Sequence, residues 1–146
     1  QGLRRAAAEG DREGFRHDDD MKVLLDTHAF LWLLGDDPKL SPAAREAIRD
    51  PNALVHVSAV SIWEIAIKVT LGRLDVQDSD CAAEIEANGF VELAITARHA
   101  QSAGALPRHH DDPFDRMLIA QAQLEDLVLI THDRRLRRYG TQIVAT

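Results

Sequence analysis

Short apolar runs alternate with helix-like stretches along most of this chain. The apolar runs have the length of buried strands and occupy residues 22–26, 54–57, 90–95, 127–131 and 141–145. Helix signals fill the intervals, as at Ser41-Pro42, where serine predicts an N-cap and proline the first helical position. Strands that alternate with helices predict a parallel sheet covered on both faces. We therefore predict an α/β domain, a three-layer α/β/α sandwich with a central, mostly parallel sheet.

The composition fits one domain with its own core. The chain has 146 residues, of which 45% are hydrophobic, and this is enough for one full core. Its longest uninterrupted apolar stretch, Ala29 to Leu34, is far shorter than a membrane span, and residues 1–20 lack the apolar segment of a signal peptide. The single cysteine, Cys81, excludes an internal disulfide and fits a reducing compartment. We therefore expect a cytoplasmic protein without a membrane partner.

The first twenty residues differ in character from the rest. Residues 1–20 contain ten charged side chains and three glycines, whereas a strand pattern, MKVLLD, begins directly at Met21. A segment this polar has too little apolar surface to fold alone. We expect residues 1–20 to be a polar extension, which is either native, non-native or read through from upstream, and residues 21–146 to form the folded domain.

Four carboxylates stand where strands lead into helices or where helices begin. Asp26 and Asp133 each follow an apolar strand-like run, and Glu64 and Asp115 lie near the starts of apolar helical stretches. In an open parallel sheet such positions meet at the carboxyl ends of the strands, where ligands bind. Acids gathered there repel one another unless a cation neutralises them. The four positions therefore predict a divalent-metal site.

The ligand types indicate which ion this site binds. Carboxylate and water oxygens suit Mg²⁺ and Mn²⁺, and neither paired histidines nor paired cysteines accompany the acids at a spacing typical of zinc. Hard ions of this kind serve phosphate chemistry, because they activate a water and neutralise charge on a phosphodiester. The residues alone therefore favour a metal-dependent reaction at a phosphate ester.

Four segments together resemble a known family. They are LLDTHAFLW, VSAVSIWEIAIKVTLGRL, HHDDPFDRMLIAQA and LITHD, in this order between Met21 and the end of the chain. One such motif is weak, since LDT is a common strand end. Four in the right order, with a tryptophan before Glu64 and DPFDR before an alanine-rich helix, resemble the PIN domain, and specifically the VapC-type toxin ribonucleases of bacterial toxin–antitoxin pairs.

The resemblance implies roles for the acids and for partners. Asp26 and Asp115 correspond to the principal metal ligands, with Glu64 and Asp133 completing the acidic site. The family implies cleavage of RNA that depends on Mg²⁺ or Mn²⁺, a homodimeric toxin, and a cognate antitoxin that blocks the site. The stretch before Met21 departs from the family pattern.

Basic residues are few overall but gather near one of the acids. The net charge of −7 argues against binding nucleic acid through a broad basic face. A run of four arginines nevertheless follows Asp133: Arg134, Arg135, Arg137 and Arg138. They form either a solvated helix face or a set of contacts to RNA phosphates. Arg116, directly after Asp115, has the same two alternatives, a surface ion pair or a contact to a carboxylate or phosphate of the site.

Several other polar residues have ordinary structural explanations. Asp112 precedes Pro113 and is predicted to be a helix N-cap with room for an outer-shell role, and Lys68 is expected to pair with Glu64 one turn earlier. His109 and His110 are expected in a solvated loop.

Side chains beside the first acid and two tryptophans complete the set of candidates. Thr27 either caps a helix or positions a metal-bound water, and His28 either packs in the first helical turn or touches a phosphate. Trp32 and Trp63 lie in apolar stretches and are expected in the core.

Two other functional classes compete with a nuclease. An aspartyl-nucleophile phosphatase would use Asp26 to attack phosphorus, but LLDTH lacks the second aspartate two residues later that such enzymes use as an acid. Trapping of a phosphoaspartate would support it. A non-catalytic module would receive a basic partner peptide in the acidic pocket, and loss of both metal binding and cleavage with partner binding retained would identify it.

Overall fold

Five parallel strands form the central sheet of this computed structural model, which describes residues 21–145. The strands are β1 (Lys22–Leu25), β2 (Leu54–Ser58), β3 (Val91–Leu93), β4 (Val128–Thr131) and β5 (Ile143–Ala145). Their order in the sheet is β3-β2-β1-β4-β5, and each neighbouring pair is parallel. The predicted parallel sheet is confirmed. The expectation for residues 1–20 lies outside the described part of the chain.

Helices follow the strands as the alternating pattern predicts. They are α1 (Thr27–Leu34), α2 (Pro42–Arg49), α3 (Ala59–Thr70), α4 (Cys81–Ala87), α5 (Ala97–Ala105), α6 (Pro113–Glu125) and a 3₁₀ helix, η1 (Arg134–Tyr139). None of the helices formed by residues 21–145 has the length and apolar character needed to cross a membrane.

The sheet is buried on both faces, which makes the domain three-layered. Val23 and Leu25 of β1 pack in one apolar cluster with Phe30, whereas Leu24 points into a second cluster with Leu118. This alternation follows from the two-residue period of a strand. The predicted α/β/α sandwich is therefore confirmed.

Side-chain caps set most helix starts where the sequence predicts them. Ser41 accepts a hydrogen bond from the Ala44 amide with Pro42 as the first residue of α2, and Thr96 caps α5. Of the two serines proposed for α3, Ser58 is the cap. Each cap satisfies amides that the first helical turn leaves unpaired.

Two elements differ from their sequence-based prediction. The strand expected at 90–95 extends only over Val91–Leu93, because β3 is an edge strand that pairs with β2 alone. The short helix expected at 133–139 is a 3₁₀ helix that starts after Asp133. Gly140 ends it with a φ of +77°, a conformation that glycine adopts without strain.

The strand order places a crevice beside β1. The chain builds β1, β2 and β3 outward in one direction and then returns to add β4 on the other side of β1. The amide of Asp26, just after β1, donates to the carbonyl of Ile130 in β4 at 2.9 Å, which joins the two strand ends. Connections leave these strand ends toward opposite faces, so that a ligand-binding crevice forms between them.

Candidate functional site

Asp26 stands at the end of β1 and has two structural partners. Its Oδ1 accepts a hydrogen bond of 2.7 Å from the amide of Ala29 and thereby caps α1. Its Oδ2 lies 3.5 Å from Nδ1 of His132, and the side chain is only 4% exposed. One oxygen is therefore fixed by the helix, while the other remains available to the crevice.

Glu64 is buried and comes from the middle of α3, not from near its start as the sequence predicts, because the helix already begins at Ala59 after the Ser58 cap. The Thr27 hydroxyl donates to Oε1 at 2.6 Å, and the Lys68 ammonium contacts Oε2 at 2.7 Å. The predicted pair between Glu64 and Lys68 is thus confirmed. Thr27 supports the orientation of this carboxylate and lies 3.0 Å from the Ser61 hydroxyl.

Asp115 lies in the first turn of α6 and contacts a histidine. Asp112 caps this helix, as predicted, by accepting from the amides of Phe114 and Asp115. Nε2 of His110 is 2.7 Å from Oδ2 of Asp115, and burial raises the pKa of the Asp115 carboxyl to about 6 even though the contact with His110 opposes this shift. Nearby Asp112 and Asp26 raise the same pKa further.

Asp133 caps η1 and is neutralised by an arginine. Nε and one terminal nitrogen of Arg135 lie 3.0 and 2.8 Å from its two carboxylate oxygens, and this pair lowers the pKa of Asp133. Nε2 of His110 is 3.8 Å from Oδ2 of Asp133. His110 therefore bridges Asp115 and Asp133, and the expectation that it lies in a solvated loop is wrong.

The crevice forms a cavity of about 200 Å³ that three of the four predicted acids line. Its lining residues are Thr27, His28, Glu64, Lys68, His110, Asp112, Asp115, His132, Asp133 and Arg135. Asp26 borders it through its contact with His132. The structure thus brings together carboxylates that are far apart in sequence, as the strand-end pattern predicts.

The charge balance of this cavity fits a divalent cation. Lys68 and Arg135 each neutralise one of the four acids, and Asp112 is engaged with the amides of α6. The other two carboxylates, Asp26 and Asp115, have only histidines within ion-pair distance among residues 21–145. A buried pair of like charges costs free energy, which one divalent ion would remove. Carboxylate oxygens are also the ligands that hard ions prefer.

The predictions from the sequence do not place His110 and His132 in the cavity. His132 follows β4 directly, so the strand-end rule that identified Asp133 applies to it as well. Its ring lies 4.4 Å from His28 and 5.6 Å from Trp32, centroid to centroid. His110 lies five residues before Asp115 in the loop that leads into α6, and no periodic pattern marks it.

Trp63 is not a core residue. Its side chain is 61% exposed, and its ring meets Phe114 edge-on at 5.6 Å. The prediction of burial is wrong for Trp63, because the buried stripe of α3 contains Val60, Ser61, Glu64 and Ile65. Trp32 is partly buried against the core, in agreement with the prediction.

Within residues 21–145, the Arg116 guanidinium contacts backbone carbonyls rather than a carboxylate. It donates to five backbone carbonyls, those of Ala103, Gly104, Leu106, Pro107 and His110. These bonds satisfy carbonyls at the end of α5 and fix the loop that carries His110. A contact to RNA by Arg116 stays a prediction.

The arginine run lies on the outer side of η1. Arg134, Arg135, Arg137 and Arg138 are all exposed, whereas Leu136 between them is buried and anchors the helix. Exposure is compatible with a solvated face and with phosphate contacts, so both interpretations stay open.

Comparisons with known proteins identify this arrangement. The family model of the PIN domain matches residues 23–142. The chain belongs to the PIN-domain family. It is 34% identical over 119 residues to Ribonuclease VapC22 of Mycobacterium tuberculosis, a match that covers 80% of this chain and 91% of that protein.

Solved structures share the PIN fold. VapBC2 from Rickettsia felis, bound to a promoter DNA fragment, matches with a TM-score of 0.64 and 12% identity over 86% of this chain and 98% of that one. VapBC-1 from nontypeable Haemophilus influenzae matches with a TM-score of 0.62 and 22% identity, with the same coverage. At these identities the likeness concerns the fold alone.

Replacement of Asp115 by asparagine is expected to stabilise the metal-free PIN domain above pH 6. The folded-state pKa of about 6 exceeds the ordinary value of 3.8, so ionisation of Asp115 disfavours folding. The cost is absent below pH 3.8, grows as the pH rises toward 6, and is complete above 6. Its removal should contribute on the order of 2 kcal/mol, which corresponds to a rise in Tm of roughly 4–8 °C.

Thermal unfolding in EDTA at about pH 4 and about pH 7.5 checks this prediction. Asp126→Asn is the matched control, because Asp126 lies at the opposite end of the same helix, with a φ of +59° that asparagine tolerates. A Tm difference between wild type and Asp115→Asn that does not grow with pH would contradict the assigned burial cost.

Proposed function

We propose that this chain is the toxin of a type II toxin–antitoxin pair and acts as an endoribonuclease that hydrolyses RNA phosphodiester bonds with Mg²⁺ or Mn²⁺. The observation that carries the proposal is the convergence of four carboxylates on one crevice of a PIN domain. The similarity to Ribonuclease VapC22 supports RNA as the substrate. The likeness to VapBC structures supports an antitoxin partner. We also propose a cytoplasmic location, because the single cysteine fits a reducing compartment.

Asp26 and Asp115 are proposed as the principal metal ligands. Both keep a carboxylate oxygen that no arginine or lysine neutralises, and both face the crevice. Glu64 and Asp133 complete the site at its two sides. These residues would hold a divalent ion, which would supply positive charge to the phosphodiester and activate a water.

The remaining polar residues orient these carboxylates and control their protons. Thr27 and Lys68 hold both oxygens of Glu64 in place, so that its carboxylate keeps a fixed position at the wall of the crevice. Arg135 keeps Asp133 ionised by lowering its pKa. His110 contacts Asp115, whose raised pKa allows it to hold a proton in mildly acidic solution.

No single acid is assigned as the general base. Asp26, Asp112 and His110 all influence the ionisation of Asp115, so the proton of Asp115 depends on these neighbours as well as on its own carboxyl. Protons of such a coupled cluster belong to the set rather than to one residue. We expect the cleavage rate to increase as the pH rises through about 6, because Asp115 then loses its proton.

Loss of either principal ligand should abolish cleavage while the fold is retained. Asp26→Asn preserves an oxygen that can cap α1, and Asp115→Asn removes a charge that already costs stability. We expect each to lower the cleavage rate of RNA in Mg²⁺ by at least about 100-fold, as removal of a group that stabilises transition-state charge does.

Cleavage is measured with circular dichroism as a check on folding, and Asp126→Asn again serves as the control. Cleavage at the wild-type rate by Asp26→Asn or Asp115→Asn would show that the altered residue is not a ligand. If the purified wild type binds no Mn²⁺ and cuts no RNA but still holds a partner peptide, the protein is a binding module instead.

The arginine run is proposed to contact RNA phosphates. Arg137 and Arg138 are exposed and, unlike Arg135, are not paired with Asp133. The double change to glutamine in the Asp115→Asn background should weaken RNA binding and make its logarithmic salt slope less negative by about 0.7 for each phosphate contact removed.

The control is the double variant Arg73→Gln and Arg98→Gln. It removes the same charge from two exposed arginines outside the run. RNA affinity measured over a series of salt concentrations distinguishes the two interpretations. A salt slope equal to that of the control would identify the run as a solvated helix face.

The proposed antitoxin acts at the acidic crevice. Residues 1–20 carry four basic and six acidic side chains, so residues 21–146 retain −5 of the net charge of −7. We propose that an arginine or lysine of the antitoxin enters the crevice, where its cation replaces the charge of the metal and its bulk excludes RNA. Apolar contacts beside the crevice would provide most of the affinity, because an ion pair must first overcome desolvation.

Inhibition assays with the protein encoded beside this chain test whether a basic side chain of the antitoxin blocks the crevice. We expect one basic residue of that neighbour to be required, so that its change to alanine restores RNA cleavage whereas exchange of arginine and lysine does not. Full inhibition by every alanine variant would place the blockade elsewhere on the surface. The homodimer implied by the family stays a prediction, which sedimentation of the free toxin would check.

A further inference from the structure

A second group of ligand atoms lies next to the acidic crevice. One carboxylate oxygen of Asp26 and one ring nitrogen each of His28 and His132 lie within 4.8 Å of one another. This group is separate from His110, Asp115 and Asp133, which form the other such cluster among residues 21–145. Two of its three ligands are imidazoles, so its chemistry differs from that of the carboxylates across the cavity.

The three side chains are held in place by neighbours that leave the ligand atoms available. The amide of Ala29 binds Oδ1 of Asp26, so that Oδ2 remains for an ion. His28 and His132 meet edge to face with ring centroids 4.4 Å apart, and Trp32 contacts both rings at 5.6 Å. His132 is 44% exposed, which gives an ion access from solvent. Such packing limits the rotation of metal-binding histidines and lowers the ordering cost of ion binding.

The spacing of the ligand atoms fits a small ion. Nδ1 of His132 lies 3.5 Å from Oδ2 of Asp26, too far for a strong hydrogen bond. Around a tetrahedral Zn²⁺ with bonds of about 2.1 Å, two ligand atoms are separated by about 3.4 Å. The observed separation therefore corresponds to one edge of a zinc coordination shell.

We propose that Asp26, His28 and His132 form a binding site for a divalent transition ion such as Zn²⁺. Imidazole nitrogens favour Zn²⁺ and neighbouring transition ions, whereas Mg²⁺ prefers oxygen ligands and remains largely hydrated. Three protein ligands leave the fourth position of a tetrahedral ion open. The site thus selects a softer ion than the proposed carboxylate site does.

Because the zinc site and the proposed carboxylate site share Asp26, zinc binding would affect RNA cleavage. Zn²⁺ would engage Oδ2 of Asp26, the oxygen proposed for Mg²⁺ or Mn²⁺. The two ions then compete, so Zn²⁺ inhibits cleavage. The inhibition of cleavage rests on the proposed function. Zinc binding does not, and it is tested on its own.

Zinc binding is tested by calorimetry on the full chain in a buffer that contains neither Mg²⁺ nor Mn²⁺. His28→Phe and His132→Phe retain an aromatic ring for the contacts with Trp32 but remove the ligand nitrogens. We expect each change to raise the Kd for Zn²⁺ at least about tenfold, since even indirect partners of metal ligands affect affinity this much. Nitrogen-15 NMR of the histidine rings in the unaltered chain should show that Zn²⁺ shifts His28 and His132.

His110→Phe is the discriminating control, because His110 belongs to the other ligand cluster. Its Kd for Zn²⁺ should remain close to that of the unaltered chain. If His110→Phe weakens zinc binding while His28→Phe and His132→Phe do not, or if zinc leaves the ring signals of His28 and His132 unshifted, the proposal is wrong. Neither result would depend on whether the protein cuts RNA.

Discussion

The pairing of β1 with strands on both of its sides is the constraint on which the site depends. The chain adds β2 on one side of β1 and β4 on the other, and each pairing is parallel. The carboxyl ends of β1 and β4 are therefore adjacent although about a hundred residues separate them in sequence. Asp26 and Asp133 follow these two ends, and α3 and α6 contribute Glu64 and Asp115 from above the same edge.

This convergence creates an electrostatic problem that neighbouring side chains solve only in part. Lys68 and Arg135 neutralise the acids at the two sides of the crevice, whereas the side chains of Asp26 and Asp115 between them have neither a lysine nor an arginine of the described part of the chain within ion-pair distance. The raised pKa of Asp115 is the result of this incomplete compensation together with burial. The domain thus trades stability in the metal-free state for the capacity to bind a cation, as functional sites commonly do.

Local sequence signals predict the fold and the acids well because both follow from short-range patterns. Strand-length apolar runs identify every strand, and caps such as Ser41 and Asp112 identify helix starts. The surroundings of the acids are harder to predict. His110 comes from an irregular loop that Arg116 fixes through five carbonyls, and the exposure of Trp63 depends on which side of α3 faces the sheet. Such features depend on tertiary contacts that leave no periodic trace.

The double engagement of Asp26 limits the ways in which this protein can become inactive during evolution. One oxygen of Asp26 holds the first turn of α1, so most replacements would remove a helix cap together with the ion ligand that we propose. The side chain of Asp115 caps no helix, and its charge opposes folding. If the nuclease activity were lost while the fold was kept, replacement of Asp115 would therefore cost the least stability. A chain with asparagine at this position would have a more stable fold and no nuclease activity, and it would still bind the antitoxin.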